Sequence, residues 1–222
     1  MRFLECCCTS FEEVAEAEKG GAKRVELCSE LGIGGVTPPM EMVKQTIEGC
    51  KQLAVNVLIR PRGGDFVYNE DEIQQMIASI KDCKALGVNA VVIGALHSDG
   101  GIDIDTTGRL IDEARPMKIT FHRAFDECAD PQKALEDIIG LGCERLLTSG
   151  HEPDAFTGRF LITDLVKQAR GRIVIMAGGG VRPLNIARIE AETGATEFHS
   201  SSHGTDGRTD RNIVKQLRNT SI

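Results

Sequence analysis

The sequence predicts an α/β protein built as a closed barrel of eight parallel strands, and three observations support this class. Short β-rich runs alternate with longer helical patterns along the whole chain. The strand candidates recur about every 28 residues, which is the length of a strand, a helix and two short loops. A chain of 222 residues, of which 41% are hydrophobic, is long enough to bury one large core. Eight β-α units of this regularity favour the (β/α)8 architecture of a TIM barrel.

Strand and helix candidates follow one another in order. The eight strands are predicted to start near Phe3, Arg24, Val55, Asn89, Lys118, Arg145, Arg172 and Ala195. The seven helices between them are predicted over residues 11–19, 41–50, 71–86, 105–114, 131–141, 163–169 and 184–192. In the third helix, apolar residues recur on one face at helical spacing, which indicates a side that packs against the sheet.

A doubly wound open sheet is the alternative architecture. It would require a Gly-x-Gly-x-x-Gly turn after the first strand, where the sequence has Thr9-Ser10-Phe11 instead. No linker or shift in composition divides the chain, so we expect a single domain over residues 1–200. Residues 201–222 are polar, with only Ile213, Val214 and Leu217 to anchor a helix. We therefore expect a weak or displaced eighth helix in a mobile C-terminal tail.

Composition argues against several classes of partner. The 26 Lys and Arg residues against 33 Asp and Glu give a net charge of −7, and there is no Trp and one Tyr. Such a chain offers neither a basic face for nucleic acid nor aromatic rings for stacking on bases. No secretory signal and no apolar run of about 18 residues is present, which predicts a cytoplasmic protein with no membrane span.

The cysteine pattern fits a reducing compartment. Of the eight cysteines, three are adjacent at Cys6, Cys7 and Cys8, and none forms a Cys-x-x-Cys pair. Neither a disulfide framework nor zinc-finger spacing is therefore indicated, and most of these thiols are expected to pack in the core.

Side-chain parity divides each strand into two rows, because successive residues of a strand point to opposite faces. One row is apolar and is predicted to face the helices: Val25, Leu27, Val55, Val57, Ile59, Ile119, Phe121 and Phe198. The other is polar and is predicted to point into the barrel: Glu5, Cys7, Glu26, Cys28, Asn56, Arg60, Thr120, His122, Glu197 and His199. TIM-barrel proteins place their sites at the carboxyl ends of the strands, where much of this polar row lies.

Three thiol and imidazole groups of the polar row form a candidate metal site. Cys7 and Cys28 lie on the first two strands, and closure of the barrel would bring His199 on strand eight next to strand one. Neighbouring strands are about 4.8 Å apart, so the two sulfurs could share one soft metal ion such as Cu(I) or zinc. The alternative is two unconnected thiols in the barrel wall.

The acidic residues of the polar row allow two interpretations. Glu5, Glu26 and Glu197 could form buried ion pairs with Arg60, which is the commoner role of such groups. They could instead act with His122 in general acid–base catalysis, or ligate a hard divalent ion. These four residues are the candidate catalytic groups if the protein is an enzyme.

Two glycine-rich loops, residues 60–65 and 178–180, suggest an anion site. Free backbone N–H groups and nearby arginines can hold a phosphate, which TIM barrels often bind after strands seven and eight. The candidate anion-binding residues are Arg60, Arg62, Arg123, Gly179 and Gly180. The ligand would be a small phosphorylated or carboxylated metabolite, and the alternative is that the glycines only form tight turns.

Taken together, the segments at the strand ends resemble those of the CutC copper-homeostasis family. They are Arg24-Val25-Glu26-Leu27-Cys28-Ser29, Ile59-Arg60-Pro61-Arg62-Gly63-Gly64-Asp65-Phe66, Thr120-Phe121-His122-Arg123-Ala124-Phe125-Asp126, Leu147-Thr148-Ser149-Gly150, Met176-Ala177-Gly178-Gly179-Gly180 and Gly194-Ala195-Thr196-Glu197-Phe198-His199. Each segment alone is weak, but their order and spacing are specific and extend across the barrel.

The resemblance implies a TIM barrel, a cytoplasmic homo-oligomer and a link to copper tolerance. It also implies that cysteines at the ends of the first two strands are Cu(I) ligands, and these positions correspond to Cys7 and Cys28. His199 would be a weaker neighbouring ligand, whereas Cys6 and Cys8 lie on the opposite row and would only pack. Whether the protein is also an enzyme acting on a small anionic metabolite is left open by the resemblance.

Overall fold

The protein is a closed barrel of eight parallel strands, as the sequence predicts. The computed structural model describes residues 2–50 and 52–219. The strands are β1 (Phe3–Cys8), β2 (Arg24–Leu27), β3 (Ala54–Leu58), β4 (Ala90–Ile93), β5 (Lys118–Phe121), β6 (Arg145–Thr148), β7 (Val174–Ala177) and β8 (Glu197–Ser200). Each strand pairs in parallel with its neighbour in the chain, and β8 pairs with β1 to close the barrel.

A helix follows every strand. The helices are α1 (Phe11–Gly20), α2 (Met40–Gly49), α3 (Glu70–Ala85), α4 (Ile104–Ala114), α5 (Pro131–Gly140), α6 (Arg159–Ala169), α7 (Ile186–Thr193) and α8 (Arg211–Asn219). Helix α6 begins four residues before the predicted start, because Gly158 precedes it without a side-chain cap and offers no start signal. None of the helices in the described ranges is long and apolar enough to cross a bilayer.

The apolar row of each strand packs against the helices, which confirms the parity argument. All eight residues of the predicted row belong to one buried cluster that also contains helix residues such as Ile80 and Leu135. Cys6 and Cys8 belong to this outer cluster, as predicted. Cys7 and Cys28 instead form a separate buried cluster inside the barrel with Leu58 and Val92. The three adjacent cysteines therefore face two different environments.

The eighth helix differs from the prediction of a mobile tail. Within the predicted tail 201–222, α8 packs against α1, and Val214 and Leu217 are fully buried. Gly20 allows this close approach, because a Cβ there would lie 2.5 Å from the Cβ of Val214. Arg211 also forms an ion pair with Glu16 at 2.5 Å. Two buried side chains and one ion pair are enough to hold the helix in place, and residues 220–222 lie outside the described residues.

Candidate functional site

Four charged side chains form a network at the amino-terminal end of the barrel interior, here called the floor network: Glu5, Arg24, Arg145 and Glu197. Arg24 donates from Nε to Glu5 and from Nη2 to Glu197 Oε2 at 2.5 Å. Arg145 Nε donates to the same Glu197 oxygen at 2.8 Å. Asn56 adds a hydrogen bond to Glu5 at 3.0 Å. These buried charges are paired with one another, as charges in a barrel interior must be.

The predicted pairing of the three glutamates with Arg60 is wrong. Arg24 is the partner of Glu5 and Glu197, because the strand register sets Glu5 opposite Arg24. Arg60 lies beyond the carboxyl end of β3, where it donates to the carbonyl oxygens of Gly35 at 3.0 Å and Gly64 at 2.6 Å. It therefore holds two loops together rather than neutralising the floor.

His199 connects the floor network to the carboxyl end of the barrel. Its Nδ1 lies 2.8 Å from Glu5 Oε1, and its Nε2 lies 3.5 Å from Glu26 Oε2. Burial raises the pKa of Glu5, but Arg24 and His199 outweigh it and bring this pKa to about 2. Glu5 is therefore a carboxylate that accepts a hydrogen bond, and His199 carries its proton on Nδ1.

The pKa values of Glu26 and His199 are raised, whereas that of Glu5 is lowered. Burial, partly opposed by His199, raises the pKa of Glu26 to about 7. Burial lowers the pKa of His199, but its hydrogen bond with Glu5 and the charge of Glu26 outweigh this effect and raise it. The pKa of Glu26 thus lies close to neutral pH, and that of His199 lies above its usual value.

The carboxyl ends of the strands surround a cavity of about 270 Å³, here called the mouth cavity. Its residues are Cys7, Glu26, Cys28, Leu31, Gly34, Gly35, Leu58, Arg60, Phe66, His122, Arg123, Leu147, Gly179, Gly180, Val181, Arg182, His199, Ser200 and Ser201. The polar row thus divides by depth: Glu26, His122 and His199 line the cavity, whereas Glu5 and Glu197 lie below it in the floor network.

The two thiols of the mouth cavity are in contact. Cys7 Sγ lies 3.2 Å from Cys28 Sγ, and both cysteines are free. The hydrogen bond with Cys28, followed by burial, raises the pKa of Cys7 well above its ordinary value. Ligand atoms of Cys7, Glu26 and His199 also lie within 4.8 Å of one another. Cys7 is thus close to each of the other two predicted metal ligands, Cys28 on one side and His199 on the other, and Glu26 lies with Cys7 and His199.

The predicted anion-binding residues are only partly brought together. Arg60, Arg123, Gly179 and Gly180 line the mouth cavity. Arg62 lies outside it, where its guanidinium donates to Glu72 at 2.5 Å and Asp65 at 2.9 Å. The two glycines adopt φ values of +91° and +65°, which favour glycine over other residues at this turn.

His122 is a neutral, buried imidazole in the cavity wall. Burial, followed by the charge of Arg60, lowers its pKa to about 3. Its Nδ1 accepts a hydrogen bond from the backbone N–H of Ala124 at 3.1 Å, which leaves the ring proton on Nε2. This Nε2–H has no partner among the described residues.

Several site residues were not predicted from the sequence. Arg24 shares the parity of Glu26 and Cys28, and that signal could have identified it as a group inside the barrel. Arg182 and Ser201 lie in loops after β7 and β8, where parity does not apply, and they meet at 3.2 Å. Phe66 stacks between functional side chains, with its ring centroid 4.6 Å from Arg60 Cζ and 5.0 Å from the His122 ring.

Comparisons with known proteins agree with the fold and with the sequence resemblance. The family model described as the CutC family matches residues 2–204. A "family protein CutC" of Parabacteroides distasonis is 52% identical over 90% of this chain and 83% of its own length. A human protein named "copper homeostasis protein cutC homolog" is 46% identical over 99% of this chain and 78% of its own length. The crystal structure of CutC from Streptococcus agalactiae superposes with a TM-score of 0.87 at 34% identity, covering 90% of this chain and 99% of that one.

Proposed function

The chain belongs to the CutC family, and from this premise we propose that it is a copper-homeostasis protein that binds Cu(I) through Cys7 and Cys28 at the carboxyl ends of β1 and β2. The observation that carries the proposal is the contact of the two sulfurs, 3.2 Å apart in the mouth cavity. The name of the human relative, a copper homeostasis protein cutC homolog, supports the choice of metal.

The chemistry of the donor set fits a soft cation. Thiolates prefer Cu(I) and zinc to hard ions, and a wall of Leu58 and Val92 shields the two sulfurs from water. Binding must displace protons from the thiols, because burial and the Cys28 contact hold Cys7 in its protonated form. Uptake of Cu(I) therefore releases protons and is stronger at higher pH.

The position of His199 beside Cys7 supports a role as a third ligand. Glu5 accepts the hydrogen bond from Nδ1–H, which leaves Nε2 of the neutral ring facing Cys7 and Glu26. A carboxylate that orients a ligating histidine in this way is common at metal sites and strengthens the histidine as a ligand. Two sulfurs at about 2.3 Å from one ion, spread for a third ligand, would be roughly 4 Å apart. The pair thus opens by less than about 1 Å on binding.

The test is a Cu(I) titration of the reduced protein without oxygen, in competition with a chromophoric Cu(I) chelator. We expect about one Cu(I) per chain, and at least a hundredfold weaker binding for the double variant Cys7→Ser, Cys28→Ser. The matched control is Cys6→Ser, Cys8→Ser, which changes the same strand on its outer face and should retain the affinity. Equal stoichiometry and affinity in the Cys7, Cys28 variant and the parent would refute the proposal.

We also infer a cytoplasmic location and a homo-oligomeric state. All eight cysteines are free, which suits a reducing compartment, and the oligomer is implied by the family resemblance. Fractionation of cells with an antibody to the protein tests the location, and light scattering of the purified protein tests the assembly. A monomer at micromolar concentration would contradict the second inference.

A further inference from the structure

We propose that the mouth cavity is a binding site for a small organic anion, whose oxygen atoms accept hydrogen bonds from His122 on one wall and from the Arg182–Ser201 pair on the other. This site is distinct in chemistry from the thiol pair and does not depend on copper. The proposal rests on three observations: the charge of the cavity, the unpartnered imidazole N–H and the arrangement of Arg182.

The mouth cavity is electropositive although the protein as a whole is acidic. The chain has a net charge of −7. Of the Lys, Arg, Asp and Glu side chains that line the cavity, in the part of the chain that the structure describes, three are arginines and one is Glu26. A concave surface that concentrates one sign of charge attracts ligands of the other sign.

Two of these three arginines have no carboxylate partner among the residues that the structure describes. Arg123 forms an ion pair with Asp126 at 2.7 Å. Arg60 is only 5% exposed, and its terminal nitrogens donate to backbone carbonyl oxygens. Arg182 donates to the hydroxyls of Ser200 and Ser201 at 3.2 Å each. Among residues 2–50 and 52–219, neither Arg60 nor Arg182 makes an ion pair, so an anion in the cavity would neutralise charges that the fold leaves open.

His122 adds a donor that the fold does not use. The ring is 4% exposed and lines the cavity, and its Nε2–H has no acceptor among the described residues. A buried donor without a partner is destabilising, and a ligand oxygen in the cavity would supply the missing acceptor. Because the ring is neutral, it donates one directional hydrogen bond.

The opposite wall is built for an oxyanion. Ser201 Oγ accepts from both terminal nitrogens of Arg182, which leaves its hydroxyl proton available to a ligand. Gly179 and Gly180 also line the cavity. The volume of about 270 Å³ is at the small end of metabolite pockets, which suits a compact carboxylate or phosphate ester.

The experiment uses metal-free, reduced protein and four probes: inorganic phosphate, glycerol phosphate, malonate and uncharged glycerol. Thermal unfolding and calorimetric titration measure binding. We expect at least one anion to bind with a millimolar or tighter Kd and to raise the Tm, whereas glycerol has no effect. The phosphate and malonate arms distinguish a phosphorylated from a carboxylated ligand, and absence of binding by all three anions overturns the proposal.

Variants locate the site. His122→Phe and Arg182→Met should each weaken binding at least tenfold, and Arg182→Lys should recover part of the loss because it retains the charge. The matched control is Arg62→Met, which removes an arginine of a neighbouring loop that lies outside the cavity and should change the Kd less than twofold. Anion binding that survives both cavity variants overturns the proposal, whichever probe binds.

Two further measurements give independent readouts. In nitrogen-15 spectra, binding of the anion should shift the Nε2 signal of His122. The signal of the Ala124 backbone N–H, which donates to Nδ1, should not change. The anion should bind with the same Kd in the presence and absence of a Cu(I) chelator, which separates this proposal from copper binding. An anion that shifts no His122 signal would contradict the assignment of this donor.

Discussion

The two ends of the barrel interior use the same residue types in opposite ways. In the floor network, each of Glu5, Arg24, Arg145 and Glu197 contacts an opposite charge. In the mouth cavity, Arg60 and Arg182 are without ion pairs in the described part of the chain, and His122 has an unused N–H. Charge that is satisfied internally indicates structure, whereas charge and donors that are left open indicate a ligand. We therefore infer that the floor network stabilises the fold and that the mouth cavity binds a ligand.

The largest expected effect is the loss of stability when the floor network is disrupted. The substitution Arg24→Met removes the central cation and leaves Glu5 and Glu197 close together and buried. We expect a loss of about 3–5 kcal/mol in the free energy of unfolding, because Glu5 loses its arginine partner and Glu197 keeps only Arg145. Urea denaturation measures it. A loss below about 1 kcal/mol would mean that the network is not structural.

The division between floor and mouth shows what the sequence could and could not predict. Alternation of strand and helix predicted the barrel, and parity correctly placed Glu5, Glu26 and Glu197 inside it. Parity does not give depth, however. Arg24 begins β2 and Arg60 lies beyond the end of β3, so only the register of the strands shows that Arg24, and not Arg60, meets Glu5.

The loop residues mark a second limit. Arg182 and Ser201 come together only because the loops after β7 and β8 meet across the cavity, and no periodic pattern describes such loops. The contact of Cys7 with Cys28 could be predicted from the sequence, because both lie on the inner row of adjacent strands. The sequence thus predicted the positions of side chains on strands better than the positions of side chains on loops.

An intermediate effect is expected from His122 in the mouth cavity, whose contribution to stability depends on pH. His122 stays neutral in the folded protein down to a pKa of about 3, whereas in the unfolded chain it takes up a proton below about pH 6.5. For this group the unfolded state therefore binds more protons in this window, and the contribution of His122 to stability falls as pH drops from about 6.5 to 3. At pH 5 this loss is about 2 kcal/mol.

The variant His122→Gln isolates this contribution. It lacks the titrating ring, so its free energy of unfolding should fall less steeply than that of the parent between pH 7 and pH 5. Glu26, whose raised pKa acts in the opposite direction in this range, is present in both proteins, so its contribution cancels in the comparison. The contribution of Glu5 is confined by its lowered pKa to the range between about pH 4.5 and 2. Urea denaturation at pH 7, 6 and 5 makes the comparison, and parallel curves for the two proteins would show that His122 is protonated in the folded state.

The smallest effect is expected from an exposed ion pair, which separates the contribution of burial from that of ion pairing. Arg109 forms an ion pair with Glu70 at 2.7 Å on the surface, and this pair lowers the pKa of Glu70 to about 2, as Arg24 and His199 do for Glu5. Solvent screens the exposed pair, and either partner left alone is hydrated again. Arg109→Met should therefore leave the urea midpoint unchanged, although it removes the arginine partner of Glu70, whose pKa is as low as that of Glu5. A midpoint shift as large as that of Arg24→Met would mean that the number of ion pairs, and not their burial, determines the role of the floor network.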